Sequence, residues 1–319
     1  MNIFDLHCDT LLLGMLDDKH SLRSNSGQIS LEKMRKGSVA AQCFAIYVPC
    51  YEEAEEYGIR LSPYEYYRQA VSLYKKELAE NADSIRPALC AADILRNLEG
   101  GLLSSVLTIE DSVPLDGKSE RLNEFYNDGV RMISLTWNYV NQVAHPNSRD
   151  AAKHALGLTE FGRECLEIMG RLGIIADVSH LSEGGFFEVA KHGKPFAASH
   201  SCARALCDHP RNLSDEQLRS LADCGGVVGL SLVPSFLAPG SSFGTVDDIV
   251  RHALHIKNTA GIESLSLGSD FDGFSDHNEI SDCSKYPLLV RSLENKFSSD
   301  EIDKICFGNA LRVFKDICG

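Results

Sequence analysis

The 319-residue sequence has no two cysteines in a C-x-x-C or zinc-ribbon spacing, although it contains eleven cysteines in all. An odd number of thiols scattered from Cys8 to Cys318 argues against a disulfide framework and suits a reducing compartment. No run of 18 apolar residues occurs, so no segment reads as a membrane-spanning helix. The first residues lack the basic stretch, apolar core and small-residue cleavage site of a secretory signal. Positive charge is also scarce: 31 Lys and Arg stand against 45 Asp and Glu, a formal charge of −14. Nucleic acid and anionic membranes attract basic surfaces, so neither is expected as a partner. Phosphate-binding loops are missing too, since Gly100-Gly101 and Gly225-Gly226 are isolated pairs. No repeat, low-complexity tract or linker divides the chain. The expectation is a cytoplasmic protein with one domain over residues 1–319, whose 44% hydrophobic content suffices for a large core.

What is present is a series of short apolar, β-branched runs between helical patterns. They cover residues 3–6, 41–48, 104–109, 130–135, 174–178, 195–198, 226–232 and 264–267. Three intervening helices announce their starts with S-x-x-E/Q capping boxes, at Ser62, Ser214 and Ser298, the first followed by Pro63. After Ser62, residues Tyr67, Ala70, Val71, Tyr74 and Leu78 share one helical face. Eight buried strands alternating with helices predict an α/β fold, a (β/α)8 TIM-like barrel, with a doubly wound open sheet as the competitor. The barrel is favoured because polar residues collect where the runs end, the place where barrel enzymes keep their chemistry.

His7 and Asp9 lie at i and i+2, so they project the same way from the end of the first strand while Cys8 points oppositely. An imidazole and a carboxylate together can bind a borderline divalent ion such as Zn²⁺, or can simply hydrogen-bond to one another. Glu110 ends the third run, His180 follows the fifth and His200 the sixth. These five donors at strand ends suffice for two metal ions sharing one carboxylate. Asp270, after the eighth run, is placed to move a proton between water and a leaving nitrogen, whereas Asp272 in D-F-D-G suits a turn. Arg211, in "DHPRN", is a natural anchor for a substrate carboxylate in an otherwise acidic mouth. Cys8 or Cys202 as a nucleophile would need a positioned base, and His209, His252 and His255 read as ordinary structural or surface histidines.

Together the segments "DLHCDT", "DVSHLS", "SHSCARALCDHPRN", "LGSDFDG" and "GNALRVF" resemble the membrane (renal) dipeptidase family of zinc metallopeptidases, in its soluble prokaryotic-type branch. The resemblance runs nearly end to end. It implies a barrel mouth holding two Zn²⁺, the first on His7, Asp9 and Glu110 and the second on Glu110, His180 and His200. It further implies a metal-bridging hydroxide as the nucleophile, Asp270 as the proton shuttle, and Arg211 holding a small peptide substrate or its tetrahedral intermediate. A homodimer is common in the resembling family. One departure follows the fourth strand, where the characterised animal dipeptidases resemble L-T-H but this chain reads Leu135-Thr136-Trp137-Asn138. An indole donates one hydrogen bond and accepts none, so Trp137 changes that substrate contact. The expected activity is a metallo-dipeptidase; the alternatives are a related amidohydrolase or lactonase using the same two-metal site, and an inactive metal-binding scaffold.

Overall fold

A computed structural model describes residues 1–17 and 19–319. Eight parallel strands form the central layer: β1 (Ile3–Asp5), β2 (Val39–Tyr47), β3 (Leu103–Glu110), β4 (Val130–Ser134), β5 (Ile175–Asp177), β6 (Ala197–Ser201), β7 (Val227–Leu230) and β8 (Leu265–Leu267). β1 pairs with both β2 and β8, and the β2–β3 pairing from Ala41↔Ser104 to Tyr47↔Glu110 completes the ring. The structure is therefore a closed (β/α)8 barrel rather than an open sheet. Every residue of these eight strands is buried, which is why they read as continuous apolar runs without a period of two.

The sequence boundaries hold to within a few residues, with two informative differences. β6 continues through His200 to Ser201 instead of stopping at Ala198, and its register against β7 shifts between Ala198 and Ser201. Such an irregularity re-aims the side chains it carries, here including His200. A short strand at Ile85–Pro87, too brief and too exposed to stand out in the sequence, adds to the edge of β3. The capping boxes at Ser62, Ser214 and Ser298 all form, and Tyr67, Ala70, Val71, Tyr74 and Leu78 are the buried face of the helix Pro63–Glu80.

One end of the barrel is sealed. Val313 and Phe314 of the last helix, Asn309–Cys318, pack against Phe4, Val106, Met132 and Ile175, and Phe314 meets Phe4 edge-on at 6.0 Å. Chemistry is confined to the opposite end, where the strands finish. Near that end Gly229 and Gly268 let the wall close tightly, since a Cβ at either would sit 2.0 or 1.7 Å from the Ser199 carbonyl oxygen.

Candidate metal centre

Two buried carboxylates organise the site, and sequence reasoning missed both. Asp5, the last residue of β1, accepts the backbone N–H groups of His7 and Ser269 on Oδ1 and the hydroxyls of Ser269 and Tyr286 on Oδ2. Asp177, the last residue of β5, accepts Ser179 N–H and Ser199 N–H on Oδ1 and the hydroxyls of Ser134 and Ser199 on Oδ2. Each fixes the chain leaving its own strand to a neighbouring one, and His7 and His180 follow within three residues. The available signal was an aspartate closing an otherwise apolar strand, in "IFD" and "IAD".

Glu110, the end of β3, faces both histidine groups. Its Oε1 lies 2.9 Å from His180 Nε2 and 3.4 Å from His200 Nε2, while Oε2 lies 3.6 Å from His7 Nε2. His7 Nε2 is in turn 3.4 Å from Asp9 Oδ2. The five predicted donors thus meet as two triads sharing Glu110, each with its donor atoms within 4.8 Å of one another. A third group, His7, His200 and Asp270, satisfies the same distance.

The hydrogen bonds behind the rings decide whether a cation fits. His180 Nδ1 is 2.9 Å from Asn138 Oδ1, which can only accept. His200 Nδ1 is 2.8 Å from Ser199 Oγ, whose own proton goes to Asp177 Oδ2 at 2.6 Å. Both Nδ1 atoms therefore carry the ring proton, and both Nε2 atoms present lone pairs, 3.0 Å apart, toward the same Glu110 oxygen. Two imidazole lone pairs and a carboxylate oxygen converge, a donor set that suits a divalent cation, with the outer hydrogen bonds fixing the tautomers. In the other triad, His7 Nε2 and Asp9 Oδ1 are buried without a hydrogen-bond partner among the described residues.

The electrostatics agree. Burial and the Arg211 cation hold His180 well below the usual imidazole range; burial, His7 and Arg211 do the same to His200. Burial also opposes charge on His7, but Asp9 and Glu110 outweigh it and raise the imidazole well above its usual range. Glu110 is pushed up to about 8 by burial and by Asp9, and Asp270 to about 6, mainly by burial. Packed carboxylates resist ionisation unless positive charge joins them.

Asp270 Oδ1 is 3.8 Å from His7 Nε2, and its backbone is left-handed at φ 66°, as is that of His180 at φ 68°. Non-glycine residues held there at a site carry backbone strain that the surrounding structure must stabilise. Gly273 lets the chain turn beside them, because a Cβ there would lie 2.3 Å from Asp9 Oδ2 and 2.7 Å from Asp270 Oδ1. Arg211 is buried, with Nη2 donating to the His200 carbonyl at 3.1 Å and Nε without a partner among the described residues. Trp137 is half-buried, edge-on to Tyr47 at 5.1 Å and 6.0 Å from His180. Asp272 lies outside both triads and accepts from Thr10 Oγ1, Gln28 N–H and Ile29 N–H. His252 bonds Ala203 N–H and the Leu237 carbonyl inside the wall.

A closed parallel barrel with converging histidines and carboxylates at the carboxyl ends of its strands defines the class of barrel metallohydrolases. Comparison with known proteins narrows this. The pattern of the membrane dipeptidase family, peptidase family M19, matches residues 1–318. The chain is 37% identical over 260 residues to an uncharacterized protein in the pqqA 5′ region of Klebsiella pneumoniae, covering 78% of this chain and 95% of that one. It is 33% identical to dipeptidase aclJ of Aspergillus oryzae, covering 91% of this chain and 70% of the other. Among solved structures, dipeptidase AC, a metallopeptidase of family M19, superposes with a TM-score of 0.90 at 25% identity, covering 100% and 99% of the two chains. The chain belongs to the membrane dipeptidase family and is a metallo-dipeptidase, a hydrolase of peptide bonds. Despite the family's name, no helix among the described residues is long and apolar enough to cross a membrane.

Proposed function

We propose that this chain hydrolyses dipeptides at a pair of zinc ions, one held by His7, Asp9 and Glu110 and the other by Glu110, His180 and His200. The observation that carries the reading is the meeting of the His180 Nε2 and His200 Nε2 lone pairs at the Glu110 carboxylate. When bound, such ions supply Lewis acidity, which lowers the pKa of water and polarises a carbonyl. Asp270, beside His7 and next to the open mouth, takes the proton of the attacking water on its carboxylate and passes it to the departing amine. Arg211 has unspent guanidinium donors in a buried setting and holds the substrate's free carboxylate. Asn138 and the Ser199–Asp177 pair keep the two imidazoles in the tautomer that presents Nε2.

Trp137 beside His180 favours one competing reading, an amidohydrolase or lactonase acting on a cyclic or N-acyl substrate through the same residues. Elemental analysis of the purified protein, joined to a turnover screen of dipeptides, lactones and N-acyl amino acids, tests both. Two zinc ions per chain and turnover restricted to dipeptides support the first; turnover restricted to lactones or N-acyl amino acids replaces it with the second.

A further inference from the structure

A cavity of about 1040 Å³ opens beside the metal centre, between the segment after β2 and the segment after β4. Val48, Ile59, Leu61, Val113 and Val140 give it apolar walls. Two buried polar groups face it. Tyr66 is 2% exposed, and its hydroxyl has no hydrogen-bond partner among the described residues. Asp111, adjacent to Glu110 and 6% exposed, accepts at Oδ1 from Asn141 Nδ2 at 2.6 Å and from Val113 N–H at 3.0 Å, and its carboxylate also accepts from the Trp137 backbone N–H. Glu55 and Arg60 lie at the exposed rim with opposite charges, so Asp111 is the one buried carboxylate among the described lining residues.

We propose that this cavity receives the side chain of the substrate's N-terminal residue and selects a long side chain ending in a cation, that is, lysine or arginine. The assignment rests on the dipeptidase reading above. Arg211 follows β6, across the barrel mouth from the β2, β3 and β4 ends that frame the cavity. With the substrate's carboxylate at Arg211 and its peptide bond at Glu110, the N-terminal residue lies on the cavity side. A lysine or arginine stem buries its methylenes against apolar walls while keeping its head polar. Ammonium and guanidinium groups only donate hydrogen bonds, and two acceptors in the lining, the Asp111 carboxylate and the Tyr66 hydroxyl oxygen, can take them. A glutamate side chain would meet a buried like charge, and an aliphatic one would leave the Tyr66 hydroxyl without a partner and the Asp111 charge without a cation to meet it.

The test is kcat/KM of the zinc-loaded enzyme for Lys-Ala, Arg-Ala, norleucyl-Ala and Glu-Ala, in the wild type, Asp111→Asn and Tyr66→Phe. Asparagine tolerates the left-handed backbone of residue 111, at φ 72°, so the first variant keeps the loop. The wild type should prefer Lys-Ala over norleucyl-Ala by about 10- to 100-fold, the size of a hydrogen bond to a charged group. That ratio should fall to within about threefold of unity in Asp111→Asn and fall measurably in Tyr66→Phe, with the change in KM more than in kcat. If Asp111→Asn does not fold, the Tyr66→Phe ratio decides alone, and an unchanged ratio overturns the assignment. Turnover of dipeptides without preference for a basic residue overturns the subsite and leaves the dipeptidase reading intact. No turnover of any dipeptide overturns both.

Discussion

His180 Nε2 and His200 Nε2 face one another at 3.0 Å with no proton between them, because Asn138 and Ser199 hold the ring protons on the far side. Two lone pairs at that distance, with a carboxylate oxygen 2.9 Å from one of them, repel unless a cation separates them. The hydrogen bonds behind the rings are therefore as informative about the centre as the donors themselves.

Ser199→Ala removes the acceptor of the His200 Nδ1 proton and one of the donors to Asp177. The ring is then free to change tautomer, and affinity for zinc should fall by about 10- to 100-fold, as for other outer-shell partners of metal-bound histidines. Competition with a chromophoric chelator measures this directly. An unchanged affinity would mean that the backbone alone orients His200.

Asp270→Asn keeps the size of the side chain and removes its basicity. If Asp270 carries the proton, turnover should fall by about 10²- to 10⁴-fold while metal content stays the same. Because Asp270 also lies within reach of His7 and His200 as a third donor group, the metal count of the variant discriminates. Loss of an ion together with activity would make it a ligand instead.

Arg211→Lys replaces a planar fork with a point charge in a buried position. Its KM for dipeptides should rise. Amidating the substrate's C-terminus should harm the wild type much more than the variant, as read from kcat/KM of the free and amidated substrates. Equal penalties in the two proteins would show that the guanidinium stabilises the intermediate rather than the carboxylate, and kcat would then fall with little change in KM.

The barrel was legible because buried parallel strands leave a plain mark, apolar runs interrupted by capped helices, as at Ser62 and Ser214. His7, Asp9, Glu110, His180 and His200 stood out because each is a polar residue where such a run ends. Asp5 and Asp177 sit at the same kind of place but were absorbed into the strand boundary; their roles come from hydrogen bonds to Ser269, Tyr286, Ser134 and Ser199, which lie on other elements. Asn138 was visible only as the neighbour of Trp137, since its link to His180 spans 42 positions. The cavity could not be read at all, because Tyr66, Asp111 and Val140 come from three separate segments that only the closed barrel brings together.

The most direct test is the number of divalent ions bound per chain in the wild type and in His180→Ala, by elemental analysis after equilibration with zinc. Two triads sharing Glu110 predict two ions in the wild type and one in the variant, because His7, Asp9 and Glu110 remain complete when His180 is removed. A single ion in the metal-saturated wild type would contradict the bridging role of Glu110 and, with it, the two-metal centre.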